Sequence, residues 1–171
     1  MTEILWHGRG GQGAFTAARL LGDAYSHKSG AYSLSFPSFG PERRGAPIRA
    51  FTKLSNAPIG NRSEIKKADY AIYLDDTLLD DSAFDELKEN GKLLVNTSKS
   101  FDDPRIVAVD GSRIAREILG LPITNTVLLG IFAAVSGDVT LDDVASAVKR
   151  NMPKNLHDKN IAAIGAAFRE V

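Results

Sequence analysis

Gly8-Arg9-Gly10-Gly11-Gln12-Gly13 stands between the apolar run Ile4-Leu5-Trp6 and the segment Ala14-Phe15-Thr16-Ala17-Ala18-Arg19-Leu20-Leu21-Gly22-Asp23-Ala24-Tyr25. The run before it reads as a strand. The segment after it places Phe15, Ala18, Leu21 and Tyr25 at the spacing of one helical stripe, with Gly30 as the expected stop. A glycine-rich turn from strand to helix is the opening unit of an α/β fold. Working outward, Ala31–Phe36 and Ile48–Leu54 read as strands, the second alternating Ile48, Ala50, Thr52 and Leu54 against Arg49, Phe51 and Lys53. Ala68–Leu74, Lys92–Asn96 and Arg105–Val109 supply further strands. Asp80–Asn90, Ser112–Leu119, Asn125–Ser136, Thr140–Asn151 and Leu156–Glu170 read as helices, and Thr140-Leu141-Asp142-Asp143 has the form of a capping box. The expectation is one α/β domain over residues 1–171: a three-layer α/β/α arrangement, a mostly parallel sheet covered on both faces, and a helical C-terminal third.

Composition narrows the chemistry. The chain has 171 residues, with 21 Lys plus Arg against 21 Asp plus Glu, so its formal charge is zero. General nucleic-acid and membrane-surface binders need a surplus of positive charge, so neither partner is expected. With no cysteine, the chain alone offers no disulfide, thiol nucleophile, Cys-ligated zinc or iron–sulfur cluster. The N-terminus lacks the basic-then-apolar pattern of a signal peptide, and the longest apolar run, Val127–Val135, is far short of the ~20 residues of a membrane span. A cytoplasmic protein is expected.

Gly8-x-Gly10-x-x-Gly13 between a strand and a helix suits an anion: small residues let backbone N–H groups approach it, and the helix start adds partial positive charge. The alternative is a tight turn that only packs closely. A dinucleotide fingerprint would add an acid about 20 residues on, where this chain has Leu34-Ser35-Phe36-Pro37. A second loop, Phe36-Pro37-Ser38-Phe39-Gly40-Pro41-Glu42-Arg43-Arg44-Gly45-Ala46-Pro47, carries adjacent arginines that could fork onto phosphate or carboxylate, or could be a solvated charge cluster. In the expected fold both loops meet at the carboxyl edge of the sheet, where open α/β sheets bind ligands.

These two loops together, Trp6–Gly13 and Phe36–Pro47, resemble the gamma subunit of pyruvate (2-oxoacid):ferredoxin oxidoreductase. The resemblance runs nearly end to end, through Ala68–Asp75, Leu93-Leu94-Val95-Asn96-Thr97 and Asn125-Thr126-Val127-Leu128-Leu129-Gly130. Pro-Glu-Arg-Arg-Gly-Ala-Pro is closer to the pyruvate and branched-chain enzymes than to those for 2-oxoglutarate or indolepyruvate. The resemblance implies a subunit, inactive alone, of a complex with alpha, beta and delta-type partners. That complex converts a 2-oxoacid and coenzyme A to acyl-CoA and CO2 and reduces ferredoxin. Thiamine diphosphate and iron–sulfur clusters would sit on partner subunits. Gly137-Asp138-Val139 lacks the remainder of a thiamine motif and reads as a helix–helix turn. The equivalent domain of single-chain relatives lies over the active-site entrance and helps hold coenzyme A. Carried onto this chain, Gly10, Gly11, Gln12 and Gly13 would line the coenzyme A site, Arg43 and Arg44 would pair with its phosphates, and Asn125 would add a polar contact. Two other readings stay open: a scaffold whose arginines form interface ion pairs, and an NADP-dependent reductase with Arg43 and Arg44 on a 2′-phosphate.

No catalytic or metal-ligating residue is assigned. His7 borders the glycine loop and reads as a packed or orienting histidine, while His27 and His157 read as surface residues. Asp75-Asp76, Asp80-Asp81, Asp102-Asp103 and Asp142-Asp143 read as caps and turns, with Asp75 the one at the ligand edge. Ile161, Ile164 and Phe168 form one packing stripe.

Overall fold

The computed structural model describes residues 1–38, 40 and 43–171. β1 (Thr2–Arg9), β2 (Tyr32–Pro37), β3 (Pro47–Ser55), β4 (Ala68–Tyr73), β5 (Leu87–Asn96) and β6 (Ile106–Val109) form one sheet in the order β2-β3-β1-β4-β5-β6. β1, β4, β5 and β6 run parallel, and β3 runs antiparallel to both β1 and β2. The reversal has a local cause: among its described residues the short connection from β2 to β3 holds no helix to carry the chain back across the sheet. The sheet is mostly parallel, as the sequence predicts.

Strand alternation sorts the core into two halves. Ile4, Trp6, Ala50, Leu54, Ile72 and Leu94 face the helical side. There they meet α1 (Ala14–Ser26), α2 (Gly111–Leu119), α3 (Asn125–Ser136), α4 (Leu141–Asn151) and α5 (His157–Glu170). Leu5, Phe51, Ala71, Tyr73, Leu93 and Val95 face the other side. Its cover is thinner: Ile65 of the β3–β4 connection and two 3-10 helices, Asp76–Leu78 and Asp81–Glu86. The three layers are therefore unequal.

Small residues let α1 lie close to the sheet. A Cβ on Gly22 would stand 2.6 Å from Ser35 Oγ, and the Ser35 and Thr52 hydroxyls both donate to the Ala18 carbonyl, at 2.8 and 3.0 Å. The buried Trp6 indole N–H donates to Thr52 Oγ1 at 3.1 Å, so this core polar chain is closed. α3 is buried along Asn125–Ala133, with Phe132 edge-on to Tyr70, and α5 lies over it. Of the expected packing stripe, Ile164 is buried and Ile161 and Phe168 pack against the core half-buried.

Several boundaries differ from the sequence reading. The expected helix Asp80–Asn90 is a 3-10 helix ending at Glu86, followed directly by β5. Ala83, Phe84 and Leu87 do share one side, but that side caps the thin face of the sheet. Gly91, just past the expected helix, lies within β5, which is irregular there against β4, and a Cβ would stand 2.8 Å from the Ala68 carbonyl oxygen. α1 ends at Ser26, and Gly30 forms the turn into β2 with φ 69°. The capping box at Thr140 and Asp143 is present, and Gly137, with φ 69°, ends α3.

Candidate functional site

The glycine loop leaves β1 at the carboxyl edge of the parallel strands, and each glycine there has its own reason. Gly10 sits against the arginine loop: its N–H donates to the Ala46 carbonyl at 2.8 Å, and its carbonyl accepts from Gly45 N–H at 3.0 Å. Gly13 is the N-cap of α1 with φ 81°, and a Cβ there would lie 2.6 Å from Asn125 Nδ2. Asn125, buried at the start of α3, donates to the Gly13 carbonyl at 3.4 Å. Gly11, with φ 93°, is exposed between them. The N-terminus of α1 has no side-chain cap and no acid in its first turn, so its field is left for an anion.

The sequence-chosen residues thus gather at one edge, in unequal roles. Gly10 has committed its amide to Ala46, while Gly11 and Gly13 have no amide partner among the described residues. Gln12 spends its side chain on the fold: Oε1 accepts from Arg9 N–H at 2.7 Å and Nε2 donates to Asp75 Oδ2 at 3.0 Å. Arg44 pairs with Gly10 as an isolated parallel bridge. Arg43 and Arg44 are exposed, and neither side chain meets a carboxylate among the described residues. Phe39, Pro41 and Glu42 of the arginine loop lie outside the described residues.

Sequence reasoning missed the residue that ties these segments together. Arg9 donates from Nη1 to the Gly45 carbonyl at 3.1 Å and from Nη2 to Thr77 Oγ1 at 2.9 Å, and its Nε is 3.3 Å from Asp75 Oδ2. One guanidinium therefore joins the glycine loop, the arginine loop and the end of β4, as a planar fork with five donors allows. Burial raises the Asp75 carboxyl, but hydrogen bonds from Thr77 and Gln12 and the Arg9 charge outweigh it and hold the group below its ordinary value.

Three clefts open from this junction and Gly11 lines each of them: one of about 660 Å³ between Arg9, Gln12, Arg44 and Gly45, and two others. The smaller, about 520 Å³, lies over the ends of β4 and β5 and is polar, with Asp75, Asn96, Thr97, Ser112 and Arg116 on its walls. Asn96 braces it, donating to the Leu74 carbonyl at 2.9 Å and accepting from Ser112 N–H at 3.0 Å. The larger, about 990 Å³, lies toward β3 and mixes His7, Arg49 and Asp80 with Phe15, Ile48 and Leu78. His7 bonds Glu86 at 2.7 Å and stacks on Tyr73. Burial raises the Glu86 carboxyl, yet the hydrogen bond and charge of His7 and the Tyr73 hydroxyl leave it below the usual range. Burial and Glu86 push the Tyr73 hydroxyl well above its usual range.

Several acids read from the sequence as caps and turns do take those places. Asp75, Asp80 and Asp143 cap short helices or α4, and Asp103 holds Arg105 at 2.6 Å. His27 is exposed; His157, expected at the surface, is half-buried on the Met152 carbonyl at 2.8 Å. No group of three or more His, Asp or Glu among the described residues is placed to hold a metal ion.

The fold and this edge define a class: an α/β domain whose candidate site lies at the carboxyl ends of its parallel strands. Residues 3–170 match the family model described as pyruvate ferredoxin/flavodoxin oxidoreductase. The chain is 43% identical over 180 residues to the pyruvate/ketoisovalerate oxidoreductases common subunit gamma of Thermococcus kodakarensis, covering 99% of this chain and 97% of that one. The crystal structure of pyruvate oxidoreductase subunit PORC from Thermotoga maritima superposes with a TM-score of 0.84 at 34% identity, covering 98% of this chain and 95% of that one. At 16% identity and a TM-score of 0.72, the chain shares only its fold with 2-oxoglutarate:ferredoxin oxidoreductase from Magnetococcus marinus. That structure has 2-oxoglutarate, coenzyme A and succinyl-CoA bound, and the match covers 99% of this chain and 30% of that one. The chain belongs to the pyruvate ferredoxin/flavodoxin oxidoreductase family, as a chain of its gamma-subunit type.

Proposed function

We propose that this gamma subunit helps bind coenzyme A and enclose the active site of a complex that oxidatively decarboxylates a 2-oxoacid, pyruvate first, to acyl-CoA and CO2 with reduction of ferredoxin. The supporting observation is the junction itself: an uncapped helix N-terminus and the amides of Gly11 and Gly13 lie beside the exposed Arg43 and Arg44, at one sheet edge. Four segments distant in sequence converge there, and the donors suit phosphate groups. Asn125 buttresses the loop from behind. Pyruvate is favoured by the names of the gamma-type relatives.

Thiamine diphosphate and iron–sulfur clusters belong, in this reading, to alpha, beta and delta-type partners. This chain has no cysteine to ligate a cluster, and its described residues include no acidic cluster suited to a metal. No helix among the described residues is long and apolar enough to cross a membrane. The complex is read as cytoplasmic, delivering electrons to ferredoxin.

Calorimetric titration of coenzyme A into the assembled enzyme tests the reading. Replacing Arg43 and Arg44 with Ala together should weaken binding by about tenfold or more, the scale of lost charge-assisted bonds. An unchanged affinity would overturn the phosphate role. It would favour the scaffold reading, which has one observation behind it: Gly10 and Gln12 spend their polar groups inside the protein.

A further inference from the structure

We propose that His7 is a general base for the thiol of coenzyme A, oriented by Glu86 and opening on the larger cleft beside the glycine loop. The proposal rests on the coenzyme A reading above and adds the group that would activate the reacting end of that molecule.

His7 is the β1 residue directly before Gly8, flanked in register by Arg49 of β3 and Tyr73 of β4. Two contacts fix its ring. Nε2 lies 2.7 Å from Glu86 Oε2, and the ring stacks on Tyr73 at 4.3 Å between centroids with 14° between planes. Tyr73 in turn donates its hydroxyl to the same Glu86 oxygen at 3.2 Å. The other ring nitrogen makes no hydrogen bond among the described residues, and no buried side-chain nitrogen or oxygen there lacks a partner. That nitrogen is therefore open to solvent, and His7 is one of the residues that line the larger cleft.

A base oriented by a third group, with a free nitrogen at a cavity, is the arrangement that activates weak nucleophiles. The cleft walls nearby, Phe15, Ile48 and Leu78, suit an uncharged thiol-bearing arm better than a nucleotide head. The proton balance is simple. The S–H proton passes to the free nitrogen of His7, leaving a thiolate, and the imidazolium keeps its other N–H on Glu86. The transfer is reversible, so the imidazole can return the proton and act again, as a working base requires. The charged groups around the ring are Glu86, Asp80 on the 3-10 side and Arg49 across the strand, while the Tyr73 hydroxyl stays protonated.

The test measures kcat/KM for coenzyme A from about pH 5 to 9 in the assembled enzyme, normalised to the coenzyme A-independent decarboxylation of the 2-oxoacid by the same preparation. His7→Gln should lower the normalised value by about 10²–10⁴-fold and remove the acid limb of the profile. Its coenzyme A affinity, read by titration, should stay within about twofold, since the thiol end contributes little binding. Should His7→Gln fail to assemble, Glu86→Gln carries the test: without the carboxylate the imidazolium is less favoured, so the acid limb moves to lower pH. A normalised rate and profile unchanged in His7→Gln, or an unmoved limb in Glu86→Gln, would overturn the proposal. Failure of the phosphate reading shows instead in the affinity of the Arg43→Ala, Arg44→Ala enzyme.

Discussion

The carbonyl oxygen of Arg43 occupies the space where a side chain on Gly10 would begin: a Cβ built there would lie 2.2 Å away. The glycine loop and the arginine loop are thereby one structural unit, closed by the Gly10–Ala46 and Gly45–Gly10 hydrogen bonds. The glycine at this position serves the contact between loops as much as any contact with a ligand.

Gly10→Ala should therefore part the two loops. Backbone atoms cannot rotate out of the way, so the cost is expected at about 1–3 kcal/mol, typical of overpacking. Thermal unfolding of the chain should show a lowered Tm, and coenzyme A affinity of the complex should fall with it. Normal stability with normal affinity would show that the loops need no such closeness.

Asp75 should give the site a pH dependence. Its folded value lies below its unfolded one, so its contribution is complete above the ordinary value of 3.8 and is lost as pH falls through the lower folded value. Asp75→Asn, which removes the charge facing Arg9, is expected to cost about 1–2 kcal/mol at neutral pH. Paired melting curves should show that deficit shrinking below about pH 4; a deficit constant with pH would assign it to packing.

Thr52→Val tests the core polar chain. The methyl keeps the shape but leaves the Trp6 N–H without its acceptor, in a site closed to water. A loss of about 1–3 kcal/mol follows, or a Tm lower by about 2–4 °C per kcal/mol in a chain of this size. Thr52→Ser keeps the hydroxyl and should lose less.

Gly130→Ala tests the α3–α5 contact, where a Cβ would stand 2.2 Å from the Ile164 carbonyl oxygen and 3.1 Å from Ala167 Cβ. Separating two packed helices should cost about 1–3 kcal/mol. Hydrogen exchange should rise first in α5, while the loop junction at Gly10 stays protected.

Local pattern made much of this molecule legible. The alternation of Ala50, Thr52 and Leu54 with Phe51 and Lys53 does divide β3 between two faces. The glycine loop does join β1 to α1, and the capping box does start α4. Asp80–Asn90 misled because apolar residues three or four apart suit a helix and also suit a short turn capping a sheet. Lys53 shows what alternation leaves open: it is 1% exposed, with Nζ donating to the Asn61 carbonyl at 3.1 Å. The cover over it is a segment without periodic structure, which leaves no trace in a hydrophobic pattern.

By itself, then, the sequence determined the α/β class, the order of most elements, the family, and the two loops on which a ligand role rests. Those properties are carried by neighbours in the chain: side-chain period, turn residues and short motifs. Only the tertiary structure decided what the polar groups do once the loops meet. It turned Gln12 inward to Asp75, made Arg9 the tie among three segments, and joined His7 to Glu86 across 79 positions of sequence. Each of those bonds needs atoms within about 3 Å, and that proximity comes from the sheet order that packing fixes.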